Sequence, residues 1–163
     1  DKVQAGNYVV IQFGHNDSNP DKGPDRYSTS EEYKANLIKY VNDTRAKKAK
    51  PILCTSIMRR RFDEQGKFYD THGVYPDVVR QVADSLRVPL VDMHRMSEKL
   101  IEEHGEEGSK KLFLHIQPGE YEVLPDGLTD DTHFSAYGAR QMAGLFVEGV
   151  KELKLKLARY LKK

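Results

Sequence analysis

A short apolar run ending in a cluster of polar side chains constrains this chain more than anything else in it. Tyr8-Val9-Val10-Ile11-Gln12-Phe13 is β-branched and nearly unbroken. A run of that length and kind reads as a strand buried on both faces of a parallel sheet. It stops at Gly14, and His15, Asn16 and Asp17 follow at once. In an open α/β sheet the ligand crevice lies just beyond the carboxyl ends of the strands. Gly14, His15, Asn16 and Asp17 are therefore candidate site residues by position alone. The competing reading is a solvated turn in which Asn16 and Asp17 make local hydrogen bonds.

The rest of the chain alternates in the same manner. Ser18–Thr29 is rich in Asn, Asp, Pro, Gly and Ser and reads as a loop long enough to shape a cleft. Thr29 with Glu32 fits a capping box, and Tyr33, Leu37, Tyr40, Val41 and Thr44 recur at helical spacing. Lys47, Lys48 and Lys50 suit the last turn of that helix, and Pro51 is expected to end it. Ile52–Ile57 reads as a second strand, with Arg59-Arg60-Arg61 at its carboxyl end. Pro76 opens a helix whose apolar stripe is Val78, Val79, Val82, Ala83 and Leu86. Val88–Met93 reads as a third strand, with Asp92 near its end, placed either to orient a group in the site or to cap a helix. Ser97–His104 reads as a helix stopped by Gly105, and Gly105–Thr129 as irregular chain anchored by Leu112-Phe113-Leu114. The last helix starts near Ala136, and Val150, Leu153, Leu157 and Leu161 extend its stripe toward the end of the chain. Strand–helix alternation of this kind means a parallel sheet with helices on both faces.

Composition narrows the function. The 163 residues suit one domain, and a net charge of +1 with both signs interspersed gives no electrostatic case for nucleic acid. No apolar run approaches the ~18 residues of a membrane span. The single cysteine, Cys54, sits in an apolar run and reads as a buried, inert thiol. No Cys/His spacing suggests a zinc site, and no cofactor is implied.

A second chemical signal precedes the last helix: Asp130-Asp131-Thr132-His133-Phe134-Ser135. A general base for acyl transfer needs an imidazole whose other nitrogen is held by a carboxylate. Asp three residues before His in a tight loop supplies that pair. Asn16, at a different strand end, offers amide hydrogens to a developing oxyanion.

These residues, taken with their surroundings, resemble the SGNH (GDSL-type) hydrolases, most closely the rhamnogalacturonan acetylesterase group. Gly14-His15-Asn16-Asp17 resembles that family's third block, and Asp130 with His133 its fifth. Arg59-Arg60-Arg61-Phe62, His72-Gly73-Val74-Tyr75-Pro76, Val88-Pro89-Leu90-Val91-Asp92 and Thr132–Ala139 extend the likeness over nearly the whole chain. The resemblance implies a three-layer α/β/α fold with a flavodoxin-like parallel sheet. It assigns His133 as general base, Asp130 as its orienting acid and Asn16 as the oxyanion-hole side chain. It places Gly14, His15, Asp17, Arg60 and Arg61 at the substrate, the arginines meeting galacturonate carboxylates.

One departure is large. The family's nucleophile is the serine of a Gly-Asp-Ser block after the first strand, and no Gly-Asp-Ser occurs here. Ser18 is the least unsuitable substitute; Ser56 lies in or at a strand end, and Ser135 reads as a helix N-cap. The chain is therefore expected to be the C-terminal portion of a single domain (residues 1–163). The first strands and the nucleophile are expected upstream, in a missing N-terminal segment or in a partner chain that completes the sheet. The expected function is deacetylation of an acetylated pectic polysaccharide, outside the cell or in the periplasm. The alternative is an inactive, truncated relative that binds carbohydrate or another protein.

Overall fold

The computed structural model describes residues 2–161. Its frame is a parallel sheet of β1 (Tyr8–Gln12), β2 (Lys50–Cys54) and β3 (Leu90–Val91), in the order β1-β2-β3. The register runs from Tyr8 opposite Lys50 to Gln12 opposite Cys54, and Cys54 then pairs with Val91. Helices α1 (Ser30–Ala46), α2 (Tyr75–Ser85), α3 (Met93–Ser109) and α4 (Ala136–Glu152) accompany it.

The two-residue period of β2 divides the interior. Leu53 faces α1 and α2 with Ile11, Tyr33, Leu37, Val41, Val79 and Val82. Ile52 and Cys54 face the other way, with Val91, Met142 and Val150. These two apolar faces make the three-layer α/β/α arrangement expected from the alternation. The strand β1 departs from the expectation of burial on both faces. Val9 and Ile11 pack against α1 and α2, but Val10 is 48 % exposed and Phe13, just past the strand, 44 %. Within the described sheet β1 has a neighbour on one side only.

Four boundaries differ from the sequence reading. The first helix ends at Ala46, and Lys48 adopts a left-handed φ of 55°, so Pro51 falls inside β2 rather than ending the helix. The third strand is only Leu90–Val91, because Asp92 caps α3 through the Arg95 amide and the helix begins at Met93, four residues before Ser97. Gly105 kinks α3 at φ 67° instead of ending it, and helical turns resume to Ser109. Finally, α4 ends at Glu152. Lys154 turns left-handed at φ 50°, and Lys156–Tyr160 form a 3-10 turn whose Leu157 and Ala158 fold back onto the Ile52 face.

The segment read as irregular contains a hairpin. Strands β4 (Phe113–Ile116) and β5 (Leu128–Phe134) pair antiparallel. Phe113 stands opposite Phe134 and Leu114 opposite Asp130, so residues 131–133 have no partner on β4 and bulge outward. The tight loop expected around His133 is this bulge.

Candidate active site

The turn after β1 is built around Gly14. Its φ is 116°, and a Cβ there would lie 2.4 Å from Ser56 Oγ and 3.1 Å from Tyr33 Oη. Those two hydroxyls donate to the Phe13 carbonyl at 2.8 and 3.0 Å. The Gly14 amide donates to Asp17 Oδ2 at 3.0 Å, and the Ser18 and Asn19 amides bond back to the carbonyls of Gly14 and Asn16. Gly14 and Asp17 thus shape the turn instead of facing a ligand, which corrects their expected place at the substrate. Asn16 is left at the tip, exposed, with no protein partner for its side-chain amide among the described residues.

The second half of the site comes from the bulge in β5. Asp130 accepts the amides of Thr132 and His133 at 2.8 and 2.9 Å, and its Oδ2 lies 2.6 Å from His133 Nδ1. Partial burial opposes the Asp130 charge, but the hydrogen bonds from His133 and Thr132 outweigh it and hold the carboxyl below its usual range. As a carboxylate, Asp130 can only accept, so His133 carries its proton on Nδ1 and offers Nε2 as a base. The His133 side chain is 74 % exposed.

Asp131 points elsewhere. It accepts from Arg60 at 2.9 Å and Arg61 at 3.3 Å, and lies 2.8 Å from His115 Nε2. Arg60 is buried. It also donates to Ser109 Oγ and the Glu106 carbonyl, and its amide bonds the Asp131 carbonyl. The expectation that Arg60 meets substrate is corrected: it anchors the bulge. Arg61 keeps its place on the cleft wall. Arg59 holds the His15 carbonyl and Thr71.

The far side of the bulge is equally fixed. Ser135 Oγ accepts the Gly138 amide and donates to the Lys111 carbonyl at 2.6 Å, the N-cap that the sequence indicated. A Cβ at Gly138 would fall 1.8 Å from the Leu112 carbonyl oxygen, so only glycine lets α4 sit this close to that turn.

Both halves open into one cleft of about 690 Å³, lined by His15, Asn16, Asp130, His133, Lys22, Arg26, Arg59 and Arg61 among others. Lys22 and Arg26 come from the loop after β1, where the sequence reading saw a cleft-shaping segment but named no residue. Of the serines considered, Ser18 donates to the His15 carbonyl, Ser56 is buried on Phe13 and Ser135 caps α4. Among the described residues no serine is hydrogen-bonded to the His133 ring. Cys54 is buried, and desolvation pushes its thiol up to about 12, as its apolar surroundings implied.

Behind the cleft, Asp70 Oδ1 lies 3.0 Å from His72 Nδ1 and 3.1 Å from His94 Nε2. These three are the group of described residues whose donor atoms, all within 4.8 Å, could hold a metal ion. At these separations both histidines are hydrogen-bonded to Asp70. Among the described residues, no helix is long and apolar enough to cross a membrane.

A parallel sheet bearing Gly-x-Asn-Asp at one strand end and Asp-x-x-His before the last helix defines an SGNH-type hydrolase. Residues 1–141 match the GDSL-like Lipase/Acylhydrolase family, and the chain belongs to it. It is 43 % identical over 159 residues to the rhamnogalacturonan acetylesterase RhgT of Bacillus subtilis (strain 168), covering 98 % of this chain and 67 % of that protein. It is 33 % identical to the probable rhamnogalacturonan acetylesterase YesY of the same organism, over 96 % of this chain and 68 % of the relative. The chain thus spans about two thirds of these curated relatives.

Among solved structures, protein YXIM of Bacillus subtilis superposes with a TM-score of 0.75 at 22 % identity, covering 94 % of this chain and 39 % of that one. A catalytic mutant of Axe2, an acetylxylan esterase from Geobacillus stearothermophilus, gives 0.60 at 21 %, covering 88 % and 59 %. At these identities the structures speak for the fold alone.

Proposed function

We propose that the protein is a serine esterase that removes acetyl groups from a pectic polysaccharide such as rhamnogalacturonan. The observation that carries the reading is the convergence of two separate chain segments on one cleft. His133, held at 2.6 Å by Asp130, and the free amide of Asn16 line the same opening.

In this reaction a serine hydroxyl attacks the acetyl carbonyl carbon, and His133 Nε2 takes the hydroxyl proton. Asp130 keeps the imidazole in the required tautomer and stabilises the imidazolium. Asn16 donates to the oxyanion. The sugar oxygen leaves with the proton returned by His133, and a water activated by the same nitrogen releases acetate and restores the serine. As the family resemblance implies, the nucleophile would be a Gly-Asp-Ser serine upstream of Asp1; Ser18, Ser56 and Ser135 are engaged elsewhere. The strand carrying it, or a partner chain, would pair with the open side of β1. The names of the curated relatives support the pectic substrate, as does the excess of cations (Lys22, Arg26, Arg59 and Arg61) around a site whose acid, Asp130, is already paired. With a polymer as substrate, the enzyme would act outside the cell or in the periplasm.

The test is deacetylation by the full-length protein. His133→Ala is expected to lower kcat by about 10³-fold, and Asn16→Ala by about 10²-fold. Near wild-type turnover by His133→Ala would sink the mechanism. The second reading, an inactive carbohydrate-binding relative, is favoured by the lack of a serine bonded to His133 among the described residues. Intact mass after treatment with a fluorophosphonate separates the two: one adduct supports the esterase, none the binder.

A further inference from the structure

His15, His72, Asp70 and His94 form a continuous polar chain that the mechanism above does not use. His94 Nε2 and His72 Nδ1 both meet Asp70 Oδ1, at 3.1 and 3.0 Å, and His72 Nε2 lies 3.1 Å from His15 Nδ1. His72 and His94 are buried, whereas His15 reaches the cleft. The Arg59 guanidinium grips the His15 carbonyl, fixing the backbone from which the ring projects.

The direction of each hydrogen bond follows from the carboxylate. Asp70 has no proton to give, so it accepts, and His72 donates from Nδ1. Burial and the nearby guanidinium of Arg59 keep His72 from holding a second proton. Its Nε2 is therefore a lone pair, and His15 Nδ1–H donates to it. Burial, His72 and Arg59 likewise keep His15 neutral. His15 Nε2 is then an unprotonated acceptor. It has no protein partner among the described residues, and none of their buried side-chain nitrogens or oxygens lacks one, so this atom opens on the cleft.

We propose that Asp70 and His72 are positioning residues that lock His15 in its Nδ1–H tautomer, so that its Nε2 accepts a hydrogen bond from a hydroxyl of the substrate carbohydrate beside Asn16. The choice of ligand rests on the carbohydrate reading of the site; the tautomer does not. A neutral imidazole fixed in this way selects a donor at that point. A substrate lacking the hydroxyl leaves the acceptor unpaired, and sites of this kind discriminate strongly.

The test has two arms on the full-length protein. In long-range 1H–15N spectra of histidine-labelled protein, His15 is expected to show a protonated Nδ1 and a bare Nε2. His72→Leu, which removes the acceptor, is expected to release His15 into a tautomer mixture. His72→Gln, whose Oε1 can accept from Nδ1–H, is expected to restore the single form. A wild-type spectrum with the proton on His15 Nε2 overturns the relay, whether or not His72→Leu folds. In the second arm, His15→Phe is expected to lower by about tenfold the ratio of kcat/KM for an acetylated rhamnogalacturonan oligosaccharide to that for p-nitrophenyl acetate, which has no sugar hydroxyl. An unmoved ratio overturns the acceptor role. If the wild type deacetylates no oligosaccharide, the carbohydrate reading and the choice of ligand fall together, while the spectrum still decides the tautomer.

Discussion

Arg59, Arg60 and Arg61 are consecutive and chemically identical, yet they end in three environments. Arg59 braces the turn bearing His15, Arg60 is buried against Asp131, and Arg61 is left on the cleft wall. A charge run in a sequence shows where cations leave a strand, but not which of them is buried against a carboxylate 71 residues away. Asp130 and Asp131 are as alike, and here the family motif's spacing selected the one that meets His133, because a bulge in β5 brings residues three apart to one side. Losing Arg60 leaves Asp131, itself only partly buried, with Arg61 and His115, but removes the guanidinium donors from the buried Ser109 hydroxyl and the Glu106 carbonyl, a loss of about 1–3 kcal/mol. Arg60→Met is therefore expected to lower stability in urea by an amount near that range, whereas Arg61→Ala, more exposed, should cost about 1 kcal/mol or less. Arg61→Ala is instead expected to raise KM for an acidic oligosaccharide more than for a neutral one. Equal stability losses for the two variants would contradict the burial of Arg60.

The elements were legible where their ends carry chemistry. The Thr29–Glu32 box, the N-cap at Ser135 and Pro76 in the first turn of α2 each announce a helix through a local hydrogen bond or a fixed φ. The β4–β5 hairpin was not legible, because its pairing is long-range and its loop, with Pro118, Gly119, Pro125 and Gly127, reads as plain irregular chain. The hairpin matters for catalysis, since its bulge is clamped between Arg60 and the start of α4. Gly138 tests that clamp. An added methyl would meet the Leu112 carbonyl oxygen at 1.8 Å and force α4 away from the turn. Gly138→Ala is expected to cost about 1–3 kcal/mol as an overpacking change and to lower kcat by displacing His133. Gly144→Ala is the control on the same helix: nothing lies within 4 Å of its Cβ, and the better helix propensity should stabilise by about 1 kcal/mol. If Gly138→Ala loses stability but keeps full turnover, the clamp does not set the position of His133.

At the scale of the whole molecule the net charge at pH 7 is only +1, so global repulsion is a weak source of pH dependence near neutrality, and His15 and His72 supply a local one. His15 ionises ordinarily at 6.5, but in the fold burial, reinforced by His72, Arg59, His133 and His94, lowers it to about 3. Between those values the unfolded chain binds a proton that the folded one refuses, so stability rises with pH across this window. The contribution of a neutral His15 is fully present above 6.5 and is lost as the pH falls toward 3. His72, also lowered chiefly by burial, acts in the same direction. Asp70 is held low by the hydrogen bonds of His72 and His94, which outweigh its own desolvation, and Asp130 is lowered too. Both add losses of the same sign, as do the lowered Asp92, Glu32 and Glu107, and these set in as the pH falls toward the ordinary carboxylate values of 3.8 and 4.5. The histidine part is therefore read above about pH 5. The urea midpoint is expected to fall steadily from about pH 7 to about pH 5, and His15→Gln should flatten that slope while leaving the steeper loss below it. A wild-type midpoint that stays level across this range would mean that His15 takes up its proton in the folded state, and the cleft would then present a cation at that position instead of an acceptor.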